Sequence, residues 1–390
     1  MIETEVQETK EMVITKPKVV IEGNQTTVSF SLQVREEKHK IWFRTSNLPD
    51  LDFSNAALAT SLLSAMKSNV SLKIEGNIAP KLYQNIQKIQ EIFNTWNDEF
   101  KLVRVAAETS VATELKSEGG VASFFSGGLD SFYTALKHQK EISHLIFVHG
   151  FDVNLRDLSF RERVIKPIRE AAALLGKPLL EVETNIRDFS DRVADWANYY
   201  HGPALVSAAL LLTPKFRKVL IPATYTYASL IPNGSHLILD PLWSTENVEI
   251  IHDGCEATRA KKLVFIANFE AARHALHVCW ENRDGEYNCG QCEKCLRSMI
   301  DIRLAGLSDK FTTFKRGLDL ARISRISFKD FHKRPFFEEC HKRVKMLGND
   351  PLLEQALRDC LDGVYYRGIT GWPRRARNLL KRRLVRHASI

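Results

Sequence analysis

A glycine corner between an apolar run and a polar stretch is the part of this chain best suited to phosphate chemistry. The apolar run, residues 121–125, has the length of a buried strand. It is followed by Ser126, Gly127, Gly128, Leu129, Asp130 and Ser131. The glycines allow a sharp turn, and Ser131 falls at or just inside a helix N-terminus, where free amides and the helix dipole attract phosphate. The pattern predicts a pyrophosphate-binding loop, with an ordinary strand-to-helix turn as the alternative.

Four cysteines form the second group with chemical potential. They fall within seventeen residues, as Cys279, Cys289, Cys292 and Cys295. In a reducing compartment such clustering favours metal over disulfides, and four thiolates suit a closed, tetrahedral, structural Zn²⁺ site. An iron–sulfur cluster is an alternative, although the position where ferredoxin motifs continue with cysteine is Met299 here. Plain, unligated thiols are the remaining alternative.

The net charge of +8 belongs mostly to one end of the 390-residue chain. Residues 374–390 carry seven arginines or lysines and no acid, so the rest is close to neutral. This basic tail predicts a weak, non-specific contact with RNA or an anionic membrane. The first residues lack the apolar core of a signal peptide, and the longest apolar stretch, 204–212, is too short to span a bilayer. A cytoplasmic protein is therefore expected.

Apolar patterning divides the chain into three predicted domains. Residues 1–115 combine β-branched runs with helical spacing, which predicts an N-terminal α+β accessory domain. In 116–307 short apolar runs alternate with amphipathic stretches, which predicts an α/β fold with a doubly wound parallel sheet. The remainder, 308–390, is charged and has helical spacing. It predicts a helical C-terminal region that ends in the basic tail.

Polar residues follow the apolar runs of the central domain. In a doubly wound sheet, ligands bind at the carboxyl ends of the strands. His149 and Asp152 lie at such an end, which predicts a role for both in binding nucleotide or substrate. A polar loop further along is either the pocket for an acceptor or a surface turn, and it contains Ser235, His236, Asp240 and Trp243.

The stretch from Ser126 to Ser131 resembles the signature of the PP-loop ATP pyrophosphatases. Those enzymes cleave ATP between the α and β phosphates and adenylate an oxygen of their substrate, and a nitrogen or sulfur nucleophile then displaces AMP. The signature is followed, about 150 residues later, by Cys-x₉-Cys-x₂-Cys-x₂-Cys. That order is similar to the 7-cyano-7-deazaguanine synthases, or QueC-like enzymes. The resemblance covers about residues 119–305.

The resemblance implies the adenine nucleotide alpha hydrolase-like fold and an ATP-dependent C–N ligase. The QueC-like enzymes use ATP and ammonia to convert a carboxylated deazaguanine to a nitrile, in the biosynthesis of queuosine and related bases. For this chain it implies that catalysis depends on Ser126, Asp130 and Ser131. These residues, with Gly127, Gly128 and Leu129, would bind ATP and Mg²⁺, and the four clustered cysteines would bind Zn²⁺.

The expected partners are a small-molecule carboxylate and ammonia or an amine donor, and a homodimer is one expected assembly. The synthases usually carry a Tyr-Gly-Gln-Arg-His-type stretch where this chain has His149-Gly150-Phe151-Asp152, so the acceptor is left open. One alternative function is tRNA modification, for example thiolation, which the basic tail would serve. Another is a non-catalytic, ATP-binding regulator.

Overall fold

A mixed sheet of eleven strands organises the first part of the chain in the computed structural model, which describes residues 11–34, 37–49, 52–110, 119–326, 328 and 333–363. Its strands are β1 (Glu11–Ile14), β2 (Lys18–Glu22), β3 (Gln25–Val34), β4 (Glu37–Ser46), β5 (Ser71–Ile78), β6 (Val105–Thr109), β7 (Gly120–Phe124), β8 (His144–His149), β9 (Leu179–Thr184), β10 (Phe216–Pro222) and β11 (Glu249–Asp253).

The described residues also form twelve α-helices. They are α1 (Ser54–Ser68), α2 (Pro80–Trp96), α3 (Leu129–Lys137), α4 (Leu158–Leu174), α5 (Ile186–Val193), α6 (His201–Leu211), α7 (Arg259–Ile266), α8 (Glu270–Ala275), α9 (Glu293–Leu304), α10 (Leu320–Ser324), α11 (Arg334–Leu347) and α12 (Pro351–Asp362). None of these helices is long and apolar enough to cross a lipid bilayer.

The strand order is β11-β10-β7-β8-β9-β4-β3-β1-β5-β6, and β2 also pairs with β3. The five strands from β7 to β11 are parallel neighbours. Strand β7 lies between β8 and β10. The connection that leaves β7 leads to β8 on one side of β7, and the connection that leaves β9 leads to β10 on the other side. Such a point, where the strand order reverses, opens a crevice at the carboxyl ends of the strands. The α/β class with a mostly parallel sheet is confirmed.

The sheet is mixed because β4 pairs antiparallel with β9. Asn185 extends this pairing beyond β9, since its side chain accepts a hydrogen bond from Trp42 N at 2.9 Å and donates one to Lys40 O at 2.9 Å. The Thr45 hydroxyl also donates to Glu181 O, at 2.9 Å. The strands of the predicted N-terminal domain therefore continue the sheet that carries the glycine corner.

Helix α1 shows how the two halves of this sheet share a core. It is buried from Ser54 to Met66 apart from Asn55, and its small alanine and serine side chains allow close approach of α6. Thr60 Oγ1 donates to Ser207 Oγ across that contact at 2.9 Å. One apolar cluster then runs from Met12 in β1 to Ile250 in β11.

The chain separates into two compact units, residues 1–266 and 267–390. The predicted boundary near residue 115 lies inside the first unit, because the sheet and its core are continuous across it. The predicted boundary near residue 307 lies inside the second unit, whose helical core includes Leu296, Phe337 and Leu357. The units thus do not coincide with the three predicted domains, and the basic tail at 374–390 lies outside the described residues.

Candidate functional site

The glycine corner forms the strand, turn and helix that its sequence predicts. Strand β7 ends at Phe124, and Gly127 has a φ of 74°, a left-handed conformation that favours glycine. Gly128 is the N-cap of α3, with extended backbone angles. The Ser131 hydroxyl donates to Gly128 O at 3.0 Å, and Ser126 Oγ accepts from Gly128 N at 3.4 Å. The corner thus brings the predicted residues Ser126 to Ser131 together at the start of a nine-residue helix.

Asp130, in the first turn of α3, lies among basic groups from distant parts of the first unit. Its Oδ1 is 2.8 Å from Lys262 Nζ, and its Oδ2 is 3.5 Å from Arg259 Nη1. Thr224, just beyond β10, donates to the same carboxylate at 3.4 Å. Lys262 has 0% of its side chain exposed and also donates to Ala223 O at 2.5 Å. These contacts join the corner to α7 and to the end of β10.

Sequence reasoning missed Lys262 and Arg259. Both lie on α7, about 130 residues after the corner, and no motif links them to it. The sequence carries only a weak indication of this site, which is that Lys262 is a cation directly before the apolar run that starts at Leu263. Such a cation is more often solvated than buried, so only the packing of α7 against α3 shows that Lys262 meets Asp130.

The C-terminal half of α3 is tied to the end of β11. The Asp253 carboxylate accepts from Thr134 Oγ1 at 2.8 Å, Lys137 Nζ at 2.8 Å and His138 Nε2 at 2.9 Å. Burial opposes ionisation of Asp253, but these hydrogen bonds outweigh it and lower the pKa of that carboxyl. Glu256 accepts from Lys137 Nζ at 2.7 Å as well. This network fastens the last turn of α3 to the carboxyl end of β11.

His149 and Asp152 are placed differently from the residues of the corner. The buried His149 ring lies 2.7 Å from Glu181 Oε2, and Arg169 donates to both oxygens of that carboxylate at 2.7 and 2.9 Å. Burial would raise the pKa of Glu181, but His149 and Arg169 lower it to about 2. Asp152 is exposed beyond the end of β8. His149 is therefore held in an ion-pair network between β8, β9 and α4, and its ligand role stays a prediction.

The polar loop between β10 and β11 is buried rather than a surface turn. The Ser235 hydroxyl donates to Asp240 Oδ2 at 2.7 Å, and His236 N donates to Asp240 Oδ1 at 3.1 Å. Asp240 is fully buried, and its Oδ2 also lies 2.8 Å from His252 Nδ1. Trp243 is 1% exposed and packs in the main core, so it has no open face on which a ligand could stack.

The four clustered cysteines converge in the second unit. Their sulfur atoms all lie within 4.8 Å of one another, with 3.9 Å between Cys279 and Cys292 and between Cys289 and Cys295. Backbone amides donate to the sulfurs, for example Cys292 N to Cys289 Sγ at 3.3 Å and Asn282 N to Cys279 Sγ at 3.3 Å. Such donors stabilise thiolate ligands. The cluster could therefore hold a metal ion such as zinc.

Comparisons of the chain with protein-family models, with curated proteins and with solved structures found no match.

The β10–β11 loop is held by a close backbone contact, which predicts the effect of Gly202→Ala. A Cβ on Gly202 would lie 1.7 Å from Gly234 O, so the loop or α6 must shift. We expect a loss of about 2 kcal/mol in the free energy of unfolding, the cost of overpacking a buried contact. Gly317→Ala is the matched control, because its Cβ meets open space. Equal urea unfolding midpoints for the two variants would contradict this account.

Proposed function

We propose that this protein is an ATP-dependent ligase of the PP-loop type, similar to the 7-cyano-7-deazaguanine synthases. It would activate a substrate carboxylate as an acyl-adenylate with release of pyrophosphate, and then transfer nitrogen to it. The observation that carries the proposal is the position of the corner. The six residues from Ser126 to Ser131 lie at the reversal point of a parallel sheet, and Asp130 lies beside two cations.

The corner has the groups that a pyrophosphate needs. The amides at the start of α3 would bind the β and γ phosphates, and the hydroxyls of Ser126 and Ser131 would exchange their hydrogen bonds within the corner for bonds to phosphate oxygens. Mg²⁺ is usually held by one or two carboxylates together with phosphate oxygens, and Asp130 is the carboxylate at this position. The ion would supply neutralisation of the phosphate charge.

Lys262 and Arg259 would supply positive charge against the negative charge of the phosphates. Both are within 3.5 Å of Asp130, and Lys262 is fully buried, so its position is fixed before a ligand binds. Preorganised cations stabilise the negative charge that develops when a carboxylate oxygen attacks the α phosphorus and pyrophosphate leaves. In this scheme the protein acts through positioning and electrostatics, without a protein nucleophile in the first step.

The acceptor class comes from the resemblance to the QueC-like enzymes. It is a carboxylated deazapurine or a related small acid, with ammonia or an amine as the nitrogen donor. The four-cysteine cluster has no open ligand position when all four thiolates bind one ion, so its proposed Zn²⁺ would be structural.

The test is product analysis with Mg²⁺-ATP, 7-carboxy-7-deazaguanine and ammonium. We expect AMP and pyrophosphate in equal amounts, at a rate well above that of a blank without protein. ADP and orthophosphate as products would contradict the proposal. If ATP binds but no AMP forms, with this acid or with a panel of small carboxylates, the result would favour a non-catalytic, ATP-binding regulator. AMP formation that requires added tRNA would point to tRNA modification.

A further inference from the structure

One uncovered face of the sheet carries a row of cations that has no part in the scheme above. Strand β4 packs Ile41 and Phe43 into the main apolar cluster. Its alternate side chains point away from that cluster, and we term them the β4 face: Lys38, Lys40, Trp42 and Arg44. The three cations are exposed and the indole is half-buried. A single strand thus presents positive charge and an aromatic ring to solvent.

The neighbouring strand β3 leaves that charge unopposed. Its register sets Ser29 opposite Trp42 and Ser31 opposite Lys40. The other β3 residues on this side are Gln25, Thr27 and Gln33. Over the described length of β3 and β4, this side therefore has hydroxyls, amides and three cations but no carboxylate. A face that is merely solvated would gain stability from opposite charges paired across the strands.

Helix α4 lies beside the β4 face and adds to its positive charge. Arg161 of α4 pairs with Glu183 of β9, and the same carboxylate lies 3.6 Å from Arg44. Two guanidinium groups thus share one carboxylate. Asn185 fixes β4 at this place through two hydrogen bonds of 2.9 Å to its backbone. The cations are therefore carried by a strand whose position in the sheet is set.

Trp42 is the aromatic member of the row. The Arg44 guanidinium lies 5.2 Å from the centroid of its ring. Lys40 and Arg44 flank it two residues away on either side, so the cations of the row repeat at about 7 Å along the strand. Unpaired bases stack on aromatic rings and on guanidinium planes, while neighbouring cations contact the phosphates of an extended strand. The β4 face has both kinds of group in one line.

We propose that the β4 face binds a single strand of nucleic acid, with a base stacked at Trp42 and the backbone phosphates on the flanking cations. A single strand is favoured because an unpaired, unstacked base exposes its flat face to the indole. A membrane surface would need apolar side chains that enter the lipid, where β3 offers hydroxyls and amides. An acidic peptide would use the cations and leave Trp42 without a role.

The inference goes beyond the proposed ligase and does not depend on it. Strands β8 and β9 separate β4 from β7, which leads into the glycine corner. Binding at the β4 face needs no ATP. It also differs from a contact through the basic tail at 374–390, because the substitutions that test it leave the tail intact.

The experiment is fluorescence anisotropy of labelled oligo(U) and oligo(dT) of about 12 nucleotides, titrated with the full chain at several salt concentrations. We expect Trp42→Leu to weaken binding ~10-fold, the effect of losing one stacked base. Trp42→Phe should keep most of the affinity, because any aromatic ring can stack. Lys38→Gln combined with Lys40→Gln should lower the slope of log affinity against log salt by ~1.4, for two lost phosphate contacts.

The matched control is Lys88→Gln combined with Lys101→Gln. It removes the same charge from two exposed lysines, one on α2 and one just after it. Helix α2 packs on the core side of the sheet, with Ile86 and Ile89 in the same apolar cluster as Phe43. The control should keep the wild-type affinity and salt slope, because distant exposed charges are largely screened. Thermal unfolding of each variant separates loss of binding from loss of fold.

Three results would overturn the proposal. The first is a wild-type chain that binds neither oligonucleotide. The second is wild-type affinity and salt slope in Trp42→Leu and in the Lys38, Lys40 variant, which would assign the binding to another surface such as the tail. The third is binding to phosphatidylserine vesicles, but not to oligonucleotides, that the Lys38, Lys40 variant loses.

Failure of this proposal is distinguishable from failure of the ligase. Oligonucleotide binding that depends on Trp42, in a protein that forms no AMP with any acid, leaves the β4 face standing and removes the ligase. AMP formation by a chain that binds no oligonucleotide does the reverse. With both in place, Trp42→Leu should lose binding and still form AMP from the small acid at the wild-type rate.

Discussion

Replacing Cys292 by serine is expected to prevent metal binding at the four-cysteine cluster and to unfold the region around it. Cys292 would supply one of the four sulfur ligands, and it is also the N-cap of α9, accepting from Cys295 N at 3.4 Å. The segment from 276 to 292 contains no α-helix or strand, and the apolar residues packed on the sulfurs are Val278 and Phe314. So small an apolar cluster cannot hold this segment alone, whereas a structural Zn²⁺ contributes on the order of 10 kcal/mol.

The measurement is metal content by mass spectrometry together with thermal unfolding of the purified protein. Wild type should carry a single zinc ion per chain, and a strong chelator should lower its unfolding temperature to that of Cys292→Ser. Cys340→Ser is the matched control, because that thiol is equally buried but lies in the helical core away from the cluster. It should keep its metal. Iron with visible absorption would identify an iron–sulfur cluster instead, and metal-free wild type with full stability would exclude any metal role.

Replacing Lys262 by methionine is expected to lower the rate of AMP formation by ~100-fold or more with little change in stability. Methionine keeps most of the side-chain volume, and the charge that stays behind is that of Asp130, whose side chain is 18% exposed and therefore less costly to leave than a fully buried ammonium. Asp130 would still have Arg259 at 3.5 Å. Loss of one preorganised electrostatic group typically lowers the rate by ~100-fold or more.

Asp130→Ala should behave differently, because it leaves the Lys262 ammonium buried without its carboxylate. We expect a loss of about 3 kcal/mol in the free energy of unfolding, the lower end for breaking a buried ion pair. The double variant Asp130→Ala, Lys262→Met should recover most of that stability but no activity. Urea unfolding and AMP production measured on the same samples separate the two effects.

Lys218→Met is the matched control for this pair. Lys218 lies on β10 and pairs with Glu141 at 2.8 Å, but both side chains are partly exposed and lie at the amino end of the parallel strands. Its loss should cost less than about 1 kcal/mol and leave AMP formation intact. AMP formation at the wild-type rate by Lys262→Met would remove that residue from the proposed chemistry.

Much of the first unit can be read from local sequence. The corner between Phe124 and Leu129 was predictable because a strand, a positive-φ glycine and a helix N-terminus each depend on neighbouring residues. The same holds for the cysteine cluster, whose ligands lie within seventeen residues. Helices α1 and α2 account for the helical spacing in residues 1–115.

Only the tertiary structure decided which distant groups meet. The pairing of β4 with β9 merged the predicted N-terminal domain into the main sheet, and the packing of α7 on α3 brought Lys262 to Asp130. The contact of Asp240 with His252 depends on how the β10–β11 loop folds back on its own strand. Local spacing determines turns and helices because their hydrogen bonds span a few residues. Ion pairs across a sheet depend instead on strand order, which no short motif of this sequence encodes.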